Sequence, residues 1–307
     1  MLPHINPRRF TPRVGVPDQG NQPPGDEQTD DQEAENQFYP GIFDVLKVRH
    51  ILLWKIKSDG LPAEVVDLII DAAEYWPSSE VALQRRITIQ KDVDQAVLST
   101  SPLCFDEKVK WRFKFRFPPV LGYYLIRHIQ TLDTASPQIL PHRTIHPCRK
   151  IVFSILSHDQ GGYPDGAPDS YHGSFTWFDA EVIHKAHEPS QRDGIHQRMN
   201  PIDMSPKHYA PNDPLLLPRD NALQRNRARR RSAKRHTVVW HHLDNTAADS
   251  PEAEDVDRDS GRGRDTLDGR QVREMELGDS IVVWARARFP GWKNYVDSLT
   301  VRVFWAI

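Results

Sequence analysis

Apolar and polar positions along this chain fall into two regimes, one at helical spacing and one with a period of two. In GLPAEVVDLIIDAAEYWP, residues 60–77, the residues Leu61, Val65, Leu68, Ile69, Ala72 and Trp76 recur at intervals of three and four, which lines one face of an α-helix. Pro62 suits the first helical turn, where a missing N–H matters little, and Pro77 ends the run. Glu64, Asp67, Asp71 and Glu74 fall on the other side. The pattern predicts a helix with its Leu68 face against a core and its acids in water. Upstream, Ile42, Val45, Leu46, Leu53 and Ile56 sit near the same spacing. Residues 79–105 fit either a further helix or a loop, so 38–105 reads as a helical block.

Beyond it the period changes to two. Residues 110–117, KWRFKFRF, put Trp111, Phe113, Phe115 and Phe117 on one side of a strand and Arg112, Lys114 and Arg116 on the other, until Pro118 and Pro119 stop it. From Arg149 onward Ile151, Phe153 and Ile155 alternate with Val152, Ser154 and Leu156. Residues 174–182, 236–241 and 281–289 read as further strands, the last fed by a turn at Leu277, Gly278 and Asp279 and closed by Pro290 and Gly291. Residues 299–307 form a strand with Val301, Val303 and Trp305 inward. Such an apolar strand must be docked in a sheet, since an exposed one would aggregate. Strands without periodic helices between them favour antiparallel pairing. The fold class expected is therefore α+β, mainly β. An N-terminal helical segment precedes an antiparallel β-sandwich, jelly-roll or galactose-binding-like, over 106–307, clearest from residue 147. Ile151, Phe153, Ile155, Ile281, Val283, Val301, Val303 and Trp305 are expected to share one core. Two insertions, about 185–221 and 244–268, read as surface loops.

Composition bounds this picture. At 307 residues with 38% hydrophobic content and 25 prolines, the chain has room for one large or two small domains once irregular segments are set aside. Residues 1–37, rich in Pro, Gln and acids, bury too little surface to offset their ordering entropy and read as a disordered tail. Their start lacks the apolar run of a signal peptide. The stretch 41–57 is interrupted by Lys47, Arg49, His50 and Lys55, too charged to span a bilayer. Cys104 and Cys148 are the two cysteines, with no disulfide framework or metal spacing, which fits a reducing compartment. The expectation is an intracellular protein, cytoplasmic or nuclear, without a membrane role. A net charge of −2 removes any global electrostatic case for nucleic acid.

Three stretches, 61–77, 147–161 (PCRKIVFSILSHDQG) and 278–307 (GDSIVVWARARFPGWKNYVDSLTVRVFWAI), resemble a family of uncharacterised fungal proteins with the same order of segments. The first stretch also resembles the opening helix of an F-box, which starts Leu-Pro-x-Glu and continues with apolar residues at helical spacing. Leu61, Pro62, Glu64, Val65, Leu68 and Ile69 carry that likeness. The later F-box helices have no clear counterpart after Trp76. The resemblance implies that Leu61, Pro62, Leu68 and Ile69 contact a Skp1-like adaptor, with the β domain as a substrate-recognition module.

Candidate chemistry is sparse. Ser157, His158 and Asp159 have the letters of a triad, but neighbours on a strand point to opposite faces and form no relay. They read instead as the lip of a loop before Gly161 and Gly162. Among fourteen histidines the pairs His184/His187 and His241/His242 have no third ligand at a diagnostic offset. Asp255, Asp257 and Asp259 mimic the first ligands of a calcium loop, but Ser260 and Thr266 stand where glycine and glutamate are required. No catalytic residue, metal or cofactor is expected. The basic run at 225–235 could serve as a nuclear signal or contact phosphate, but it lacks interleaved aromatics, which makes nucleic acid an unlikely partner. Pairing with the acids at 249–259 is the preferred reading. The expected function is a non-enzymatic binding protein, an F-box-like adaptor with a β-sandwich recognition domain. The alternative is a lectin-like module for a carbohydrate or glycoprotein. In the sandwich, Asp159, Gln160 and an exposed Trp292 are expected to gather at one end and contact the ligand.

Overall fold

The computed structural model describes residues 38–56, 60–90, 93–106, 138–162, 170–186, 207–208 and 217–307. The tail at 1–37, the aromatic strand expected at 110–117 and most of the 185–221 insertion lie outside the described residues. The helical pattern produces α1 (Ile42–Trp54) and α2 (Ala63–Ala72). Strands β1 (Ser78–Ala82), β2 (Ile87–Gln90) and β3 (Val93–Ser99) follow directly. This corrects the helix-or-loop reading of 79–105. The period-two signals there, such as Ile87 and Ile89, are only a few residues long, and strand pairing with distant segments decides them.

After the short β4 (Phe105–Asp106) and β5 (Gln138–Ile139) come β6 (Cys148–His158), β7 (Thr176–Ile183), the brief β8 (Lys207–His208) and β9 (Gln224–Arg225), and β10 (Lys234–His241). Helix α3 (Pro251–Ser260), a 3₁₀ turn at Arg264–Thr266 and α4 (Arg270–Glu274) precede β11 (Ser280–Ala287) and β12 (Lys293–Trp305). One antiparallel sheet runs β1–β12–β6–β10, with β2 also on β12; the second runs β8–β3–β11–β7–β9. The two sheets pack as a sandwich, and the eight core residues expected from the sequence fall in one buried cluster. Val45 of α1 and Val66 and Ile70 of α2 belong to that same cluster. Each such side chain contributes about 1.5–3 kcal/mol by leaving water. The described residues from Tyr39 to Ile307 accordingly pack as one unit. Among the described residues no helix is long and apolar enough to cross a membrane.

The segment 244–268, expected as an acidic loop, is also corrected. Ser250 caps α3 by accepting a hydrogen bond from the Ala253 N–H at 3.2 Å, Pro251 occupies the first turn, and Gly261 ends the helix at φ 73°. These are standard start and stop signals. The acids and basic run do meet, at Arg225 Nη1 and Asp257 Oδ1, 2.5 Å apart.

Candidate functional site

At the end of β6 the Asp159 side chain turns inward and is fully buried. Its Oδ1 accepts from the Gly161 N–H at 2.8 Å and its Oδ2 from the Arg229 N–H. Burial raises its pKa, and those N–H groups oppose the shift only in part. Asp159 therefore holds a turn. A Cβ at Gly161, where φ is 80°, would meet Arg231 Cγ at 2.3 Å. Half-buried Gln160 accepts from the Lys293 N–H at 3.0 Å through Oε1, so the β6 and β12 loops share one end of the sandwich and Trp292 lies beside them. Trp292 is, however, only 8% exposed, which corrects the expectation of an exposed ring. Phe289 at φ 66° and Gly291 at φ 89° turn the chain back, and the indole packs edge-on against Phe175, 5.0 Å between centroids. Asp159, Gln160 and Trp292 are brought together, but the acid and the indole face inward.

Ser157 and His158 separate as the strand period requires. Ser157 Oγ donates to Asn226 Oδ1 at 2.6 Å inside the sandwich, while His158 stacks on Tyr295 at 4.7 Å. Asn226 belongs to a buried polar network that sequence reasoning missed. Its Nδ2 donates to Thr176 Oγ1 and to Asn294 Oδ1, and Asn294 donates to the Trp177 and Arg286 carbonyls. A second missed network lies on the other face of β11. Arg286 pairs with Asp94 and with Asp179 Oδ2 (2.5 Å), and Arg288 Nη1 reaches Asp94 Oδ1 at 2.6 Å. Burial raises the Asp179 pKa against the opposing pull of Arg286. The visible signal was a cation at alternate positions of the apolar strand, Arg286 and Arg288. Held by guanidiniums, these carboxylates tie β3, β7 and β11 together.

The helical residues give a different result. Val66 and Ile70 are buried, whereas Leu68 is 68% exposed and Ile69 is 40% exposed. Leu61 is half-buried and Pro62 exposed. Two of the acids, Asp67 and Asp71, are half-buried against cations of α1 and of the segment before β6, while Glu64 and Glu74 stay exposed. Asp67 lies 2.9 Å from Arg49 Nη2 and 3.4 Å from Arg143 Nη1, Asp71 pairs with Arg143, and Glu74 Oε2 lies 2.5 Å from Lys150 Nζ. Trp76 Nε1 donates to Asp71 Oδ1 at 2.8 Å. Burial works to raise the Asp71 pKa, but the Trp76 hydrogen bond and the Arg143 and Arg149 charges outweigh it and hold it below the ordinary carboxylate value. The expected orientation is thus corrected: Asp67 and Asp71 turn toward half-buried cations and the Leu68 ridge points out. On α1, Phe43, Ile51 and Trp54 are also exposed and fall on one side of the helix at spacings of eight and three.

Both cysteines are free and buried, and burial pushes the Cys148 thiol up to about 12 and raises Cys104 further, which keeps them as protonated, unreactive thiols. Among the described residues no three His, Cys, Asp or Glu side chains gather as metal ligands. His184 meets Asp279 at 3.0 Å; His187 lies outside the described residues. Burial, aided by nearby cations or His241, lowers the His236 and His242 pKa values from 6.5 to about 4. An unfolded chain takes up these protons near pH 6.5 and the folded chain only near pH 4. Their contribution is therefore fully present above pH 6.5 and is lost as pH falls toward 4. The melting temperature is expected to drop across that window, and His236→Gln is expected to make the drop shallower. Identical pH slopes for the two proteins would show that His236 takes no part.

Compared with known proteins, the sequence matches no family model, no curated protein matches it, and no solved structure matches it.

Proposed function

We propose that this chain is a non-enzymatic binding protein that docks a protein adaptor on its exposed helical surface, with the β-sandwich as scaffold and recognition module. The orientation of α2 carries this reading: ion pairs turn its acids onto Arg49, Arg143 and Lys150 while Leu68 and Ile69 face solvent. An apolar ridge held outward by polar anchors is what a partner needs in order to bury surface. Leu61, Pro62, Leu68 and Ile69 are the positions at which the helix resembles an F-box, so the occupant proposed is a Skp1-like adaptor. Strands follow α2 where an F-box continues in helices, so the shared contact is confined to this helix and its neighbour α1. The unpaired cysteines suit a cytoplasmic or nuclear setting.

The test is binding of the full chain to a purified Skp1-like adaptor, beside the Leu68→Ser/Ile69→Ser variant. Two anchors lost from the centre of an interface reduce affinity by about a hundredfold or more. Removing exposed side chains shifts folding stability by no more than about 0.5 kcal/mol each. The parent is expected to bind and the variant to fail while melting like the parent. No binding by the parent, or a parallel fall in melting temperature, would overturn the reading.

A further inference from the structure

We propose that β10 is a docking edge for an extended, acidic segment of a partner protein, separate from the helical surface. The strand ends its sheet, paired with β6 on one side. In the register His236 faces Ile155, Val238 faces Phe153 and Trp240 faces Ile151; the His242 N–H continues the ladder to the Arg149 carbonyl at 2.9 Å. An antiparallel strand directs the N–H and C=O of alternate residues away from its partner. Those of Thr237 and Val239 therefore point off the sheet, and among the described residues nothing accepts from or donates to them. The open stretch has a defined end. His241 donates its N–H to Asp244 Oδ2 at 2.9 Å and accepts from the Asp244 N–H at 3.0 Å.

The edge is preformed. His236, Val238 and Trp240 are buried beneath it, and Trp240 meets Phe153 edge-on at 4.9 Å. A peptide adding here orders only itself, and backbone hydrogen bonds supply affinity while side chains select the sequence. The exposed side chains are Arg235, Thr237 and Val239, with Arg229 and Arg231 exposed in the turn before the strand. Their charge identifies the occupant. A second copy of β10 paired about Thr237 would set Arg235 against Val239 and offer these cations no carboxylate. An acidic extended segment puts carboxylates beside Arg235 and Arg231.

The experiment uses fluorescence anisotropy with the full chain and a labelled short peptide of alternating glutamate and valine. One counterpart has lysine for glutamate; another is N-methylated throughout, keeping the side chains and removing the ladder donors. The glutamate peptide is expected to bind, the lysine peptide to fail and the N-methylated peptide to bind about tenfold more weakly or worse, as lost hydrogen bonds require. Val239→Pro removes one outward N–H that the fold does not use, and is expected to weaken binding while retaining the parent's melting. If that variant fails to fold, the N-methylated peptide still decides. Absent binding of the glutamate peptide, equal binding of the glutamate and lysine peptides, or indifference to N-methylation would each overturn the proposal.

Discussion

Replacing Val303 with aspartate will abolish the cooperative melting of the β-sandwich. Val303 lies in β12 between Ser79 of β1 and Ile151 of β6 and is buried in the cluster that joins both sheets to α1 and α2. A carboxylate there has no cation and no water. Burying such a group costs about 3 kcal/mol or more beyond the lost apolar contacts, a large share of the roughly 5–15 kcal/mol that holds a domain together. Val239→Asp is the control. Val239 is on the outer face of the same sheet at 37% exposure, so a charge there stays hydrated and melting should shift little. The check is thermal denaturation followed by tryptophan fluorescence. Equal melting of the Val303 variant and the parent would refute the assigned core.

The second large effect is expected at Arg286. This guanidinium neutralises both Asp94 and Asp179. Arg286→Met leaves Asp179 buried without its cation and should destabilise the protein by about 3–5 kcal/mol. Asp94 keeps Arg288. Adding Asp179→Asn removes the orphaned charge but retains an acceptor for Trp177 Nε1, which donates to Asp179 at 3.2 Å. The double variant should therefore recover much of the loss. The pH dependence gives an independent reading. The Asp179 pKa is already raised by burial, and removing Arg286 raises it further. A carboxyl whose folded pKa exceeds its unfolded value favours the fold below the unfolded pKa and loses that contribution as pH rises through the folded pKa. The deficit of Arg286→Met should accordingly shrink in acid. A single variant as stable as the parent, or a double variant no better than the single, would show the network to be energetically idle.

Much of the sandwich was legible because alternation survives without knowledge of neighbours. Ile151, Phe153 and Ile155, then Val301, Val303 and Trp305, declare an inward face whatever strand lies beside them. Helix α3 was not read, because its acidic composition suggests a loop, although Ser250, Pro251 and Gly261 stand at its ends as start and stop residues. The candidate loop site was legible in position but not in exposure. Gln160 and the start of β12 meet as expected, but backbone turns at Phe289 and Gly291 fold Trp292 under Phe175, and no local pattern encodes that packing.

What the sequence by itself determined is the helical backbone of α1 and α2, the extended backbone of β6, β7, β10, β11 and β12, and which positions of those strands are apolar enough to form a core. The tertiary structure decided which side of α2 faces that core. Hydrophobic periodicity selects Leu68, whereas the fold buries Val66 and Ile70. Arg49 and Arg143 arrive from elsewhere in the chain and draw Asp67 and Asp71 inward, while Lys150 pairs with Glu74 at the surface. It also decided that β1–β3 are strands and that β10 is an edge, because a strand's neighbours are set by partners up to two hundred or more residues away. Local periodicity reports the preference of one segment for water or oil. The direction in which that segment turns depends on the charges and open hydrogen-bonding groups that the rest of the chain brings to it.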